Sequence, residues 1–130
     1  MSAVFIVRKK MLPQTLFTEM ETRYGVAPEF LWRAHPDYAV FRHADNRKWF
    51  AVLLNPPGTS VGLPQAEAVQ LLNVKAQPEN LLILRGMDGV LPAWHMNKAH
   101  WVSLQLAVLP DAVILDLLDD SFLLTRKRFS

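Results

Sequence analysis

The spacing of apolar and polar residues along the chain predicts three helices. Between residues 12 and 24, apolar side chains recur at steps of three and four, a proline stands at an early position, and Gly25 follows as a stop signal. The segment Pro110–Leu124 has the same helical spacing. A shorter helix is predicted from Pro78, which suits a first helical position, to a stop at Gly86.

Shorter apolar, aromatic and β-branched runs predict five strands. Two of these runs flank "HADNR" and predict a hairpin with strands at Ala39–His43 and Lys48–Leu54, turning at Asp45-Asn46. The segment "AVQLLNVK", which ends at Lys75, predicts a third strand. The remaining two strands form a second hairpin in "GVLPAWHMNKAHWVSLQLAVL", with its turn near residues 96–99.

These elements predict an α+β, two-layer fold in the order α-β-β-β-α-β-β-α. An antiparallel five-stranded sheet should pack on helices at one face, because only one face of most strands reads as continuously apolar. In the last strand, Val102 and Leu104 alternate with Trp101, so we expect Trp101 on the more polar face. The length indicates a single domain over residues 1–130, with residues 1–11 as an N-terminal extension.

Composition narrows the class of protein. Hydrophobic residues make up 51% and charged residues 20%, which indicates a packed domain rather than a disordered chain. The absence of cysteine excludes disulfides, iron–sulfur clusters and thiolate zinc sites. The apolar run Ala3–Val7 precedes its basic residues, the reverse of a secretory signal, and no window is long enough for a membrane span. We therefore expect a soluble, cytoplasmic protein that does not bind membranes.

The stretch "PAWHMNKAHW" concentrates groups that could bind a metal or take part in catalysis. His95 and His100 are five residues apart, which does not fit a helical two-histidine zinc motif, and Asp88 is the only carboxylate between Met87 and Asp111. Ser103 lacks the glycines of a nucleophile elbow, so a polar position on a strand is the simpler interpretation. We expect no metal, no cofactor and no enzymatic activity.

Positive charge is modest in total but concentrated at the two hairpins. The net charge of +2 permits an anionic partner without requiring one. Lysine and arginine at hairpin tips can contact phosphates, asparagine can also read a base edge, and tryptophan can stack on an unpaired base. The candidate nucleic-acid-binding residues are Arg42, His43, Arg47, Lys48, Lys75, His95, Asn97, Lys98, His100 and Trp101, and Arg126, Lys127 and Arg128 add charge near the C-terminus. Because most hairpin tips are polar, these charges equally fit a role in solubility.

Several segments resemble the MmcQ/YjbR family. They are "YGVAPEFLW", "VFRHADNRKWFAVL", "NVKAQPE", "GVLPAWHMNKAHWVSLQL" and "LLDDSFLL", which together cover most of the chain in matching order. The resemblance implies a two-layer α/β fold similar to CyaY and to secretion chaperones, and DNA binding through two hairpins described as a double wing. It carries over no catalytic residues. Trp94 stands where tyrosine is common in the family, and longer relatives have a further domain before the matched region.

The resulting expectation is a non-enzymatic protein that binds DNA through two basic hairpins. The alternative is a module that binds a protein or a small ligand, through the sheet face or a groove beside Trp101, without nucleic acid.

Overall fold

The computed structural model describes residues 11–128, and within them the predicted α+β class and element order are confirmed. The elements are α1 (Pro13–Tyr24), β1 (Ala39–Arg42), β2 (Trp49–Leu54), β3 (Leu71–Lys75), α2 (Pro78–Arg85), β4 (Val90–Pro92), β5 (Trp101–Gln105) and α3 (Asp111–Thr125). A short 3₁₀ helix, Gly58–Val61, lies in the loop between β2 and β3. Apart from Met11, which is buried in the core, the predicted extension lies outside the described residues.

Turn chemistry determines where these elements begin and end. Pro13 occupies the first turn of α1, and Gly25 ends the helix at φ 65°, where its N–H is donated to the Glu21 carbonyl.

The two hairpins differ from expectation. The strands of the first are shorter by one residue at each side of the turn, and the second closes through a wide loop, residues 93–100, rather than a tight turn.

All neighbouring strands in the sheet are antiparallel, in the order β1-β2-β3-β5-β4. The chain leaves β3 through α2, forms the edge strand β4, and returns as β5 between β3 and β4. Helix α3 packs over β2 and β3, and α2 packs over β4 and β5. Helix α1 lies on the same face, where Phe17 contacts Phe41 of β1.

The main core lies between the helices and this face of the sheet. Leu16 and Met20 of α1 and Ile114 and Leu118 of α3 are fully buried. They pack against inward residues of the strands, among them Phe41, Leu53, Leu72, Val102 and Leu104. Full burial of each such side chain contributes about 1.5–3 kcal/mol, so this layer accounts for much of the hydrophobic stabilisation.

The expectation that only one face of the sheet is apolar is wrong. The opposite face carries a second buried cluster of Tyr38, Val40, Val52, Leu54 and Leu71. Loops cover this cluster in place of helices, through Trp32, Val61, Val69, Trp94 and Met96. The cause is visible in β2, where "WFAVLL" is apolar at every position and so supplies both faces.

A serine of α3 bridges the place where β2 and β3 separate. The β1–β2 register shifts between Phe41 and Arg42, and β2 pairs with β3 only from Ala51 onwards. The Ser121 hydroxyl donates to the Phe50 carbonyl at 2.6 Å and accepts the Lys75 N–H at 2.9 Å. It thus replaces a strand-to-strand hydrogen bond and fixes the last turns of α3 against the sheet.

Candidate nucleic-acid interface

Both hairpin tips lie at the same end of the sheet. Residues 43–48 connect the end of β1 to the start of β2, and residues 93–100 connect the end of β4 to the start of β5. Strands β1 and β4 point in the same direction, so both connections lie at one end of the sheet. Between them β3 ends at Lys75, which pairs with Trp101, and the Ala76 N–H continues the ladder to the His100 carbonyl. With strands about 4.8 Å apart, the two hairpin centres are about 14 Å apart. We call residues 43–48, 75–76 and 93–100 the hairpin end.

The C-terminus of α3 joins the hairpin end at the first tip. His43 Nε2 lies 2.9 Å from the Thr125 hydroxyl, and the Asn46 side-chain amide donates to the Thr125 carbonyl at 2.9 Å. These bonds position residues 126–128 beside the first hairpin. Lys48, Lys75, Arg126, Lys127 and Arg128 line one depression of about 410 Å³, together with Asn46 and Leu124. These five residues form what we call the cationic cluster.

The cationic cluster has no ion pair within the described part of the chain. The nearby carboxylate of Asp45 accepts the N–H of Asn46 and shapes the hairpin turn. Three separate segments of chain therefore bring five cations together, which creates a local positive potential that the net charge of +2 does not indicate.

Arg42 is paired with Glu29 and does not belong to the cationic cluster. Its Nε donates to Glu29 Oε2 at 2.6 Å and its Nη2 donates to Glu29 Oε1 at 2.5 Å, with 22% of the side chain exposed. Glu29 is held in place by backbone hydrogen bonds with Val40, and the bond from Arg42 lowers the pKa of the Glu29 carboxyl. Arg42 thus fastens the segment before β1 to the sheet. Arg47 lies 3.8 Å from the same carboxylate but remains 60% exposed, so it is the more accessible of the two.

His43, a predicted nucleic-acid contact, is buried at the base of the first hairpin. Only 5% of the residue is exposed, and its ring packs against Phe50 and Phe122. Burial lowers the pKa of His43, and since the Thr125 hydroxyl donates to the Ser121 carbonyl, the histidine Nε2 is the donor to Thr125. The ring connects the first hairpin to α3 rather than facing a partner.

The second hairpin loop presents mostly exposed polar residues. His95, Asn97, Lys98 and His100 are exposed, and Trp101 is half-buried. The Asn97 side chain accepts the Ala99 N–H at 2.9 Å, so part of its capacity is used within the loop. Arg85 of α2 donates to the Lys98 carbonyl, which positions the loop while leaving the Lys98 side chain exposed.

A buried polar network supports this loop from beneath. The Asn73 amide donates to the Trp94 carbonyl at 2.9 Å, the Trp94 N–H is donated to the Ser103 hydroxyl at 3.0 Å, and that hydroxyl donates to Asn73 Oδ1 at 2.5 Å. Asn73 and Ser103 are fully buried. The interpretation of Ser103 as part of a polar face is therefore wrong. Its function is to fix the backbone of Trp94, which packs on the second apolar cluster.

The family model YjbR matches residues 22–124, from the end of α1 to the last turn of α3. The chain belongs to the YjbR family. It is 34% identical over 114 residues to the uncharacterised protein YyaQ of Bacillus subtilis, a match that covers 87% of this chain and 97% of YyaQ.

Solved structures of similar proteins have the same fold. A Pseudomonas syringae protein is 40% identical in its crystal structure, with a TM-score of 0.87 over 89% of this chain and 100% of that one. Its solution structure gives 39% identity and a TM-score of 0.83, over 92% and 97% of the two chains. Deinococcus radiodurans protein DR2400, with a DUF419 domain, has the same fold at 24% identity, with a TM-score of 0.66 over 90% and 80% of the chains.

The YjbR match ends at residue 124, so three of the five cations in the cationic cluster lie beyond it. The sequence shows these residues as a basic tail, but nothing local indicates that they meet the first hairpin. That juxtaposition depends on Asn46 and Thr125, which are 79 residues apart in the sequence.

Among residues 11–128, no group of three or more histidine or acidic side chains is arranged to hold a metal ion. No helix in the same range is both long and apolar enough to cross a bilayer.

Proposed function

We propose that this YjbR-family chain is a DNA-binding protein without catalytic function, and that it binds through the hairpin end of the sheet. The observation that carries the proposal is the cationic cluster, in which Lys48, Lys75 and Arg126–Arg128 surround one depression without an ion pair from the described residues. Lysine and arginine in such a concave patch attract the phosphate backbone, which dominates affinity for DNA. Arg47 and Lys98 extend this surface along the two hairpins.

In this proposal, the exposed residues have different roles. The cationic cluster and Arg47 contact phosphates of one strand, and Lys98 on the second hairpin reaches a second set about 14 Å away. Asn97 retains its amide N–H groups for a phosphate or a base edge, because its oxygen is already bonded to Ala99. Trp101 and the two exposed histidines of the loop supply close contacts beside them. Arg42 and His43 act only by holding the first hairpin in place.

Fluorescence anisotropy with a short labelled duplex tests the proposal. Four to six phosphate contacts should make log affinity fall with log salt at a slope of roughly −4 to −5. Lys48→Glu and Arg126→Glu should each weaken binding by about tenfold or more at low salt and reduce that slope by about 1. Lack of saturable binding at low salt would refute the proposal.

Arg33→Glu is the matched control for these charge reversals. Arg33 is exposed and lies in the loop before β1, whose first residue is at the opposite end of the sheet. It should leave affinity and salt slope close to wild type, since the charge change is identical but distant from the cluster. If Arg33→Glu weakens binding as much as Lys48→Glu, binding depends on total charge and the interface is not at the hairpin end. Lys98→Glu measures separately what the second hairpin contributes.

A further inference from the structure

A groove of about 860 Å³ lies between α2 and the second half of α3, over the end of β3. It exists because α3 packs over β2 and β3, whereas the short helix α2 packs over β4 and β5. The end of β3 is therefore left between the two helices. A volume of this size falls in the range of small-molecule sites, which is about 300–1,000 Å³.

Apolar side chains form the floor and the walls of the groove. Val74 and Ala76 contribute the floor, Ile83 one wall, and Leu117 and Leu123 the other. Ile83 is 72% exposed and Leu123 is 49% exposed. These two side chains face each other's helix across a gap that no described residue fills, so an apolar body placed there would be covered on both sides.

One end of the groove is strongly cationic. Lys75, Arg126, Lys127 and Arg128 line it, and the only carboxylate among the described lining residues is Asp120. Gln77 and Asn80 add neutral amide groups at the start of α2. A ligand that fits both ends must combine an apolar body with an anionic head group. A neutral apolar molecule would leave the cationic end unmatched.

We propose that this groove binds a small anionic amphiphile, such as a medium-chain carboxylate, with its chain between Ile83 and Leu123 and its head group at Lys75 and Arg126. The apolar walls and the cationic end together favour an occupant that carries both an apolar chain and a negative charge. The proposal is independent of DNA binding, although the two surfaces share Lys75 and Arg126–Arg128.

Titration of ¹⁵N-labelled protein with decanoate, without DNA, tests the assignment. Amide shifts should concentrate at residues 74–77, 83–84 and 117–124. Ile83→Asn should weaken decanoate binding by about tenfold, because it removes apolar surface from the wall. Leu82→Asn is the matched control, since Leu82 is 84% exposed on the same helix but does not line the groove. It should leave the affinity within about twofold of wild type.

The head group is tested by Arg126→Glu and by decanol. Arg126→Glu should weaken decanoate by about tenfold while leaving decanol unchanged, because only the carboxylate meets the cation. Equal effects of Ile83→Asn and Leu82→Asn, or absence of shifts at the groove, would overturn the proposal. The proposal would also be overturned if the protein formed a dimer without decanoate and Ile83→Asn abolished that dimer. The groove would then be assigned to a second copy of the chain. Failure of DNA binding leaves these results unaffected, because Ile83 lies outside the hairpin end.

Discussion

Replacing Ser121 with alanine should destabilise the protein far more than the loss of one hydroxyl at a surface. The side chain is fully buried, and its oxygen serves both the Phe50 carbonyl at 2.6 Å and the Lys75 N–H at 2.9 Å. Each buried group left without a partner costs about 1–3 kcal/mol, and the half-buried Lys75 belongs at the lower end. Alanine recovers about 0.5 kcal/mol through helix propensity. The net loss should be about 2–3 kcal/mol.

Urea unfolding followed by circular dichroism measures this change. With a slope of about 1–3 kcal/mol/M, the unfolding midpoint should fall by roughly 0.7–3 M without a change in slope. Amide exchange at Lys75 should also accelerate, because its N–H loses its acceptor. Thr18→Ala is the control, as its exposed helical hydroxyl donates only to the Gln14 carbonyl. A loss below about 0.5 kcal/mol for Ser121→Ala would refute the bridging role.

Three further changes test other parts of the structure. Asn73→Ala should destabilise by about 2–4 kcal/mol, because it leaves the buried Trp94 carbonyl without a donor and the Ser103 O–H without an acceptor, and tryptophan fluorescence should report the loosened loop. His43→Gln should remove a pH dependence of the folding stability. Burial lowers the folded-state pKa of His43 below 6.5, its ordinary value. The wild-type contribution is therefore complete above about pH 6.5 and is lost as the pH falls from there through the folded-state pKa. Gly89→Ala should cost about 1–3 kcal/mol in urea unfolding, because Gly89 has φ +94° and an added Cβ would lie 2.9 Å from Leu109.

Controls separate these effects from general sensitivity to mutation. Gly62→Ala changes a glycine of similar φ, +81°, with open space around it, so it should cost less than Gly89→Ala. His35→Gln, at an exposed histidine, should keep the wild-type decline at acidic pH. Asn80→Ala removes an exposed amide and should change stability little. Equal losses within any pair would contradict the corresponding interaction.

Element order was predictable because its signals are local. Helical spacing, Pro78 and Gly25 act within a few residues of the elements that they predict. The features that the local sequence does not indicate involve partners distant in sequence. His43 reads as an exposed tip residue until Thr125 and Phe122 bury it, and Ser103 reads as polar surface until it binds the Trp94 backbone. The alternation of apolar and polar residues along a strand predicts the face of the sheet on which a side chain lies, but not which residues cover that face.

In the candidate site, too, the sequence alone does not show which charged side chains are paired within the protein. Glu29 lies 13 residues before Arg42 and pairs with it, while Arg126–Arg128 lie beyond the family match and belong to the cationic cluster. A count of lysines and arginines weighs both groups equally. Only the fold distinguishes a cation that is paired within the protein from one that is available to a partner.

The shared cations couple the two proposals thermodynamically. An anion held at Lys75 and Arg126 in the groove would neutralise charges that the proposed DNA interface uses, so each ligand must weaken the other by the same factor. The coupling should appear in the salt dependence, since the slope becomes shallower by about 0.9 for each DNA phosphate whose cation the amphiphile occupies. Ile83→Asn separates the effects, because it weakens the amphiphile without touching a cation. If decanoate displaces DNA from wild type but not from Ile83→Asn, the competition acts through the groove, and not through general screening of charge.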